Sequence, residues 1–254
     1  MTTSKPVNDI QATKNTIKLF EGLRSLDGAG ITELAEYTGL SKSTVHSHLN
    51  TLKNHGYVIQ DGRTYYVGLG FFEMGEYARK QHKIYDIGRP EVDKLAEQTG
   101  ELANMMVEEH GKGVYLYRAQ GENAVTLDTQ TGKRRYLHCT ALGKAILAHL
   151  PRERVDEIVD QHGLPEQTRY TITDPESLYT ELYSVREEGV AQCHQERVKG
   201  LRCVAVPILS DERVLGAISV SGPTTRMTEQ RIEEIVPEYL TQAANVIEIN
   251  IEFS

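Results

Sequence analysis

ITELAEYTGLSKSTVHSHLNTLKNHGYVIQDGRTYYV, residues 31–67, carries the cap and turn signals from which the N-terminal fold is read. Thr32 is placed to cap a short helix that turns Leu34 and Ala35 inward, and Gly39 ends it as a left-handed C-cap would. Ser41 caps the next helix, so the Gly39–Ser41 link reads as a tight helix-turn-helix. Steps of about 100° per residue bring Val45, Leu49 and Leu52 onto one stripe of that helix, with His48 near it. The opposite face holds Ser43, Ser47, Asn50 and Asn54, with Lys42, Thr44 and His46 alongside. These short donors and acceptors suit base edges and phosphates. Tyr57–Gln60 and Arg63–Val67 then read as strands about Asp61-Gly62, a pair that favours a type I′ turn. A hairpin directly after such a helix is the wing of a winged helix, and Arg63 at its tip is within reach of phosphate or the minor groove.

Upstream, Ile17, Leu19, Phe20, Leu23 and Leu26 recur at helical spacing until Asp27-Gly28-Ala29-Gly30 stops the helix. Residues 1–67 hold 7 Lys/Arg against 6 Asp/Glu, leaving 21 against 30 for the remainder of a 254-residue chain of net charge −8. The acidity belongs to the larger part, and a nearly neutral N-terminal module cannot bind DNA through bulk charge. The length accommodates two domains. At 39% hydrophobic and 25% charged residues the composition is that of a soluble globular protein, with no run approaching a membrane span. The start, MTTSKPVNDI, lacks a basic region followed by an apolar stretch, so a cytoplasmic location is expected. Cys139, Cys193 and Cys203 form no C-x-x-C pair and read as reduced, small buried thiols.

After the wing, Phe71, Met74, Gly75 and Ala78 form a wide apolar stripe, which lies either on the chain's own wing or at a dimer contact. From Asp86 the order becomes α+β: a helix through Val92, Leu95 and Ala96, then strands at Leu102–Glu108, Val114–Ala119 and Ala124–Asp128, then helices. Leu201–Leu209 and Val214–Ser221 read as a hairpin of an antiparallel sheet. The last helix puts Ile232, Ile235, Val236, Tyr239, Ala243, Val246 and Ile247 on the sheet, with Pro237 kinking it or marking its start.

ITELAEYTGLSKSTVHSHLNTLKNHGYV followed by YYVGLG resembles the N-terminal half of the IclR family of bacterial and archaeal transcription factors. TGE at 99–101, HCTALGKAILAHLP at 138–151, TITDPESL at 171–178 and GLRCVAVPI at 200–208 resemble that family's effector-domain segments in their order. The resemblance implies an α+β chain: a winged helix-turn-helix over residues 1–67, a connecting, dimerising helix over 68–85, and a GAF-like α/β effector-binding domain over 86–254. It also implies homodimers or homotetramers on palindromic double-stranded operators, and it favours the dimer contact for the Phe71 stripe. The DNA-contacting set is then Ser41, Lys42, Ser43, Thr44, His46, Ser47, Asn50 and Arg63. Two pocket walls are implied: the start of the Thr140-Ala141-Leu142-Gly143 helix, and His194, Glu196, Gly200 and Cys203 with Ser219 and Ser221 on the next strand. A helix start, hydroxyls and a histidine suit a small hydroxylated or aromatic organic acid. No cofactor or metal is expected. Ser47 stands where relatives often carry Arg, and Cys193-His194-Gln195 where they carry acidic residues, so both sites depart from the pattern.

The competing structural readings are plain: Cys203 as a core thiol, Gly143 as a packing glycine, Ser219 as a satisfied strand hydroxyl. Two rival functions also follow from the residues. An enzyme would use the adjacent His138-Cys139 or Cys193-His194, but strand neighbours point apart and no metal, phosphate-loop or G-x-S-x-G spacing supports one. A signalling module would turn its winged helix toward protein instead of DNA.

Overall fold

A computed structural model describes residues 9–125, 130–211 and 213–253, which divide into two compact units, Met1–Arg79 and Lys80–Ser254. The first unit contains α1 (Gln11–Ser25), α2 (Ile31–Thr38), α3 (Lys42–Asn54), β1 (Val58–Asp61), β2 (Thr64–Val67) and nearly all of α4 (Gly70–Lys80). Its core joins Leu19 and Leu23 of α1, Leu34 of α2, Val45 and Leu49 of α3, and Val58 and Tyr65 of the hairpin. Ile17 and Leu26, read as part of the α1 face, are instead exposed; Gly22 and Leu23 take the contact.

Helix α2 begins two residues earlier than its cap signal indicated. Ala29 exchanges both backbone hydrogen bonds with Tyr65, at 3.0 and 2.9 Å, which holds the entry strand extended. Gly30 is therefore the N-cap, its N–H donating to Glu33 Oε2 at 2.8 Å, and Thr32 sits exposed inside the first turn. The wing is also shifted by one residue. Asp61 pairs with Thr64, leaving Gly62-Arg63 as the two-residue loop with Gly62 at φ +57°. Glycine first with positive φ is the type II′ pattern, not type I′. Phe71 of α4 packs edge-on against Phe20 and Tyr57, with ring centroids 4.6 and 5.0 Å apart, so this residue of the stripe lies on its own module. Phe72, Met74 and Tyr77 remain exposed.

The helix read over 68–85 is two helices: α4 stops at Lys80, and α5 (Lys83–Thr99) already buries Ile84 and Tyr85 in the second unit. That unit continues with β3 (Leu102–Glu109), β4 (Lys112–Gln120), β5 (Arg134–Arg135), α6 (Ala141–His149), α7 (Arg152–His162) and α8 (Pro175–Glu188). β6 (Ala191–His194), β7 (Leu201–Ser210), β8 (Arg213–Pro223) and α9 (Val236–Glu252) complete it. The strands form one antiparallel sheet in the order β5-β4-β3-β8-β7-β6. Strand alternation divides its side chains between two layers. Val204, Val206, Ile208, Ile218 and Val220 pack with α5 and α9, whereas Ala205 and Ala217 pack with α6 and α8.

The strand expected at Ala124–Asp128 has no strand at Ala124 or Val125, and its other residues lie outside those described. In α9 the buried face runs through Val236, Leu240, Ala243, Ala244, Ile247 and Ile251, leaving Ile235 and Val246 exposed. The reason is a π-helical turn over Arg231–Ile235, which slips the register just before Pro237 enters α9 as its second residue. Buried Glu101 ties the start of β3 to the segment after β8, accepting from Arg226 Nε and a terminal nitrogen at 2.7 and 2.8 Å. No helix among the described residues is long and apolar enough to cross a membrane.

Candidate functional site

Ser41 begins α3 as its N-cap, accepting from the Thr44 amide at 3.1 Å, and its Oγ lies 2.8 Å from both the Ser43 and Thr44 hydroxyls. These bonds hold three of the candidate DNA-contacting side chains at the helix start, where the first amides have no intrahelical acceptor. Lys42, Ser43, His46 and Ser47 are exposed, while Thr44 and Asn50 are half-buried. Asn50 Nδ2 meets the His46 ring at 3.3 Å, one turn away. His48 turns inward, its Nδ1 2.9 Å from Thr16 Oγ1. Arg63 is exposed at the wing tip. The sequence reading missed the link that fixes the wing to the helix: Lys53 Nζ donates to Gln60 Oε1 at 2.9 Å, and Gln60 donates to the Gly62 carbonyl at 3.0 Å.

In the second unit a small cavity of about 20 Å³ lies on the α6 face of the sheet. Thr140, Ala141 and Leu142 bound it on one side, and Cys203, Ser219 and Ser221 from β7 and β8 form its floor. Thr140 is the N-cap of α6, accepting from the Gly143 amide at 3.0 Å. The Ala141 and Leu142 amides, by position, have no intrahelical acceptor. Ser219 Oγ is buried without a hydrogen-bond partner, so a ligand oxygen there would relieve a desolvated group. Tyr115 closes the cavity from β4, and burial pushes its phenol up to about 12, which keeps it a donor.

Cys139 and Arg197 line this cavity and also a wider outer cleft of about 400 Å³, whose walls include Lys112, Arg134, Arg135, Tyr136 and Gln167. The cleft is strongly cationic. Glu109 pairs with Arg134, and Lys112 Nζ sits 3.2 Å from the Tyr136 ring centroid. Arg135 is pulled below the usual guanidinium range, first by burial and then by Arg197. Such a mouth concentrates anions.

Four expected wall residues, Gly143, His194, Glu196 and Gly200, are not in the lining. His194 is exposed on the opposite side of β6 from Cys193 and stacks on Tyr170 at 6.1 Å; Cys193, its neighbour, lines the cavity. Gly200 is exposed at φ +81°, donating to Gln195 Oε1 at 2.8 Å, a turn position away from the lining. Gly143 serves packing: a Cβ there would lie 2.1 Å from the Leu137 carbonyl oxygen. Glu196 is buried behind the cavity and accepts from Lys144 Nζ at 2.8 Å, while Lys144 also donates to Glu181 at 2.7 Å. Lys144 is 2% exposed. Burial works against its charge, but the two carboxylates outweigh it and raise its affinity for the proton. Glu196 is raised above the usual carboxylate range, by burial first, because its one cation is shared and Glu181 repels it. The Glu196 carbonyl accepts from Thr171 and Thr168 at 2.6 and 3.1 Å, anchoring the loop that presents Arg197. Among the described residues no group of three or more His, Cys, Asp or Glu is arranged to hold a metal ion.

The arrangement of a helix-turn-helix unit and a sheet unit with an anion-suited cavity has close counterparts. Residues 12–62 match the IclR helix-turn-helix domain, and residues 77–248 match the family described as bacterial transcriptional regulator IclR C-terminal. A Halobacterium salinarum protein named "Probable HTH-type transcriptional regulator ArcR" is 34% identical over 248 residues, spanning 96% of this chain and 94% of its own. The crystal structure of the Thermotoga maritima IclR matches with a TM-score of 0.78 and 28% identity, covering 94% of this chain and 97% of that one. An IclR homologue from Microbacterium hydrocarbonoxydans, crystallised with 4-hydroxybenzoate, shares the fold at a TM-score of 0.81 and 22% identity, covering 96% and 100%. With both of its units matched along nearly their whole length, the chain belongs to the IclR family of DNA-binding transcriptional regulators.

Proposed function

We propose that this regulator binds a palindromic operator as a homodimer or homotetramer in the cytoplasm, controls a catabolic operon, and responds to a small hydroxylated or aromatic carboxylic acid. Residues 1–67 read DNA, 68–85 connect and dimerise, and 86–254 bind the effector. The observation that carries the ligand class is the cavity itself: the Ala141 and Leu142 amides at the start of α6 and the unpartnered Ser219 hydroxyl lie behind a mouth of four cations, Lys112, Arg134, Arg135 and Arg197. A carboxylate fits the amides and the arginines, and a hydroxyl fits Ser219 and Tyr115. One member of the family supports the reading from outside: the Microbacterium homologue was crystallised with 4-hydroxybenzoate, and that ligand has both groups.

On the DNA side, Lys42, Ser43, His46, Ser47 and Asn50 face the bases and backbone, Ser41 and Thr44 order the helix start, and Arg63 meets phosphate. With Ser47 in place of a cation and an almost neutral module, one copy binds weakly and two half-sites are needed. The ligand shifts DNA affinity by binding one spacing of the two modules better than another, since equal affinity would shift nothing.

Thermal unfolding against 4-hydroxybenzoate, gluconate and glucuronate tests the ligand class. A binder at 100 times its dissociation constant adds about 2.7 kcal/mol, and Arg197→Ala should remove that gain while leaving the ligand-free midpoint in place. No stabilisation by any aromatic or sugar acid at millimolar concentration rejects the proposal.

A further inference from the structure

Three thiols converge on the effector cavity: Cys139 before α6, Cys193 on β6 and Cys203 on β7. All are free, and Cys203 is the least buried of them. Cys193 and Cys203 are directly opposite one another in the antiparallel register of β6 and β7. Residues so paired have Cα atoms about 4.5–5.5 Å apart, inside the span of about 4.4–6.8 Å that a disulfide tolerates. Both side chains lie on the cavity side of their strands. Cys139 is held apart from this pair: its backbone carbonyl accepts from Cys193 Sγ at 3.5 Å, and its own thiol is 3.6 Å from the Tyr136 carbonyl.

We propose that Cys203 and Cys193 form a reversible disulfide when the protein meets a hydroperoxide, making the effector cavity a redox-sensitive site. The thiol environments assign the order of attack. A hydrogen bond from Cys193, another from Ser221 and the charge of Arg197 hold Cys203 below the ordinary thiol range, whereas the shared hydrogen bond and burial push Cys193 well above it. Burial pushes Cys139 up to about 11. The nucleophile is therefore the Cys203 thiolate, beside the guanidinium of Arg197 at the junction of cavity and cleft.

Its sulfur attacks one peroxide oxygen; the S–O bond forms, the O–O bond breaks, and the displaced alkoxide or hydroxide takes a proton and leaves as alcohol or water. Cys203 is then a sulfenic acid. Cys193 sulfur attacks it, the S–S bond forms and the S–O bond breaks, and the hydroxyl leaves with the Cys193 proton as water. Two thiols have lost two electrons to one peroxide. A dithiol reductant reverses the step by exchange. The new bond removes two thiols from the cavity floor and wall. Its effect on ligand occupancy rests on the effector reading above; its formation does not.

The test uses the full chain treated with hydrogen peroxide, alkylated with iodoacetamide after denaturation, digested with trypsin and weighed. The expected product joins the tryptic peptides 187–197 and 203–213 at two hydrogens less than their sum, disappears with dithiothreitol, and leaves Cys139 alkylated. Cys193→Ser should stop the reaction at a Cys203 sulfenic acid that dimedone traps, and Cys139→Ser should cross-link like the parent. Full alkylation of all three cysteines after a peroxide dose that oxidises free cysteine overturns the proposal, as does a cross-link that requires Cys139. Because the readout is a mass, a protein that binds none of the acids tested still decides it.

Discussion

Replacing Lys144 with Met removes the cation buried between α6, α8 and the β6–β7 loop while keeping the length of its aliphatic stem. Glu181 is 34% exposed at its side chain and can rehydrate, but Glu196 is 9% exposed, and its second oxygen already lacks a partner. Stripping one member from a buried ion pair costs about 3–5 kcal/mol. Each kcal/mol moves the midpoint of a unit of this size by about 2–4 °C, so the sheet unit should melt about 6–20 °C lower. The double variant Lys144→Met, Glu196→Met removes the stranded charge as well and should recover most of that loss, since apolar replacement of a whole buried pair is often neutral.

The sign with pH follows from Glu196. Alone, its folded affinity for the proton rises further above the unfolded carboxylate value of about 4.3, so the penalty is full above the raised value and fades as pH falls through it. Urea unfolding of the single variant at about pH 7.5 and about pH 5 should show it regaining stability at the lower value, where the double variant does not. A single variant that loses under about 1 kcal/mol, or effects of Lys144→Met and Glu196→Met that simply add, would refute the reasoning.

Gly143→Ala forces a Cβ into the Leu137 backbone, 2.1 Å from its oxygen and 2.4 Å from its Cα, and should lower unfolding stability by about 1–3 kcal/mol in a denaturant titration. His138 is held below its ordinary value, by burial first; the unfolded chain then binds the proton that the fold refuses, so stability falls as pH drops below about 6.5, and His138→Gln should flatten that slope. Arg63→Ala should weaken all DNA alike and reduce the salt slope by about one, whereas Ser43→Ala or Asn50→Ala should change sequence preference, read by titrating operator against random duplex.

Where a structural decision is local, the sequence states it. Gly39 and Ser41 end one helix and begin the next through their own backbone and side chain, and nothing distant intervenes. Thr32 misleads because the true start of α2 depends on Ala29 pairing with Tyr65, a partner 36 residues away. Asp61-Gly62 suggests a turn centre, but the register that joins Asp61 to Thr64 moves it by one. In the candidate site, Thr140, Ala141, Leu142, Cys203, Ser219 and Ser221 converge as their strands and helix start require. His194 does not, since β6 is a short edge strand whose alternation cannot be set from four residues. The cationic mouth was invisible because Lys112, Arg135 and Arg197 come from three separate segments. Lys144 looked like an ordinary helix residue among ALGKAILAH, its two partners lying 37 and 52 residues downstream.

The order of strands in the sheet also has a consequence for the nascent chain. β8 fills the gap between β3 and β7, bringing Ser221 opposite Leu102 across 119 residues. The winged helix is complete at Val67, yet the sheet cannot close until residue 223 has been made. At a synthesis rate of about 5–20 residues per second, the 156 residues between them take about 8–30 s. Within that interval β3, once made, keeps one edge of unpaired amides and carbonyls until β8 arrives. A ribosome carrying this message therefore holds a finished reading head ahead of a sensor still open to pairing with a neighbouring chain.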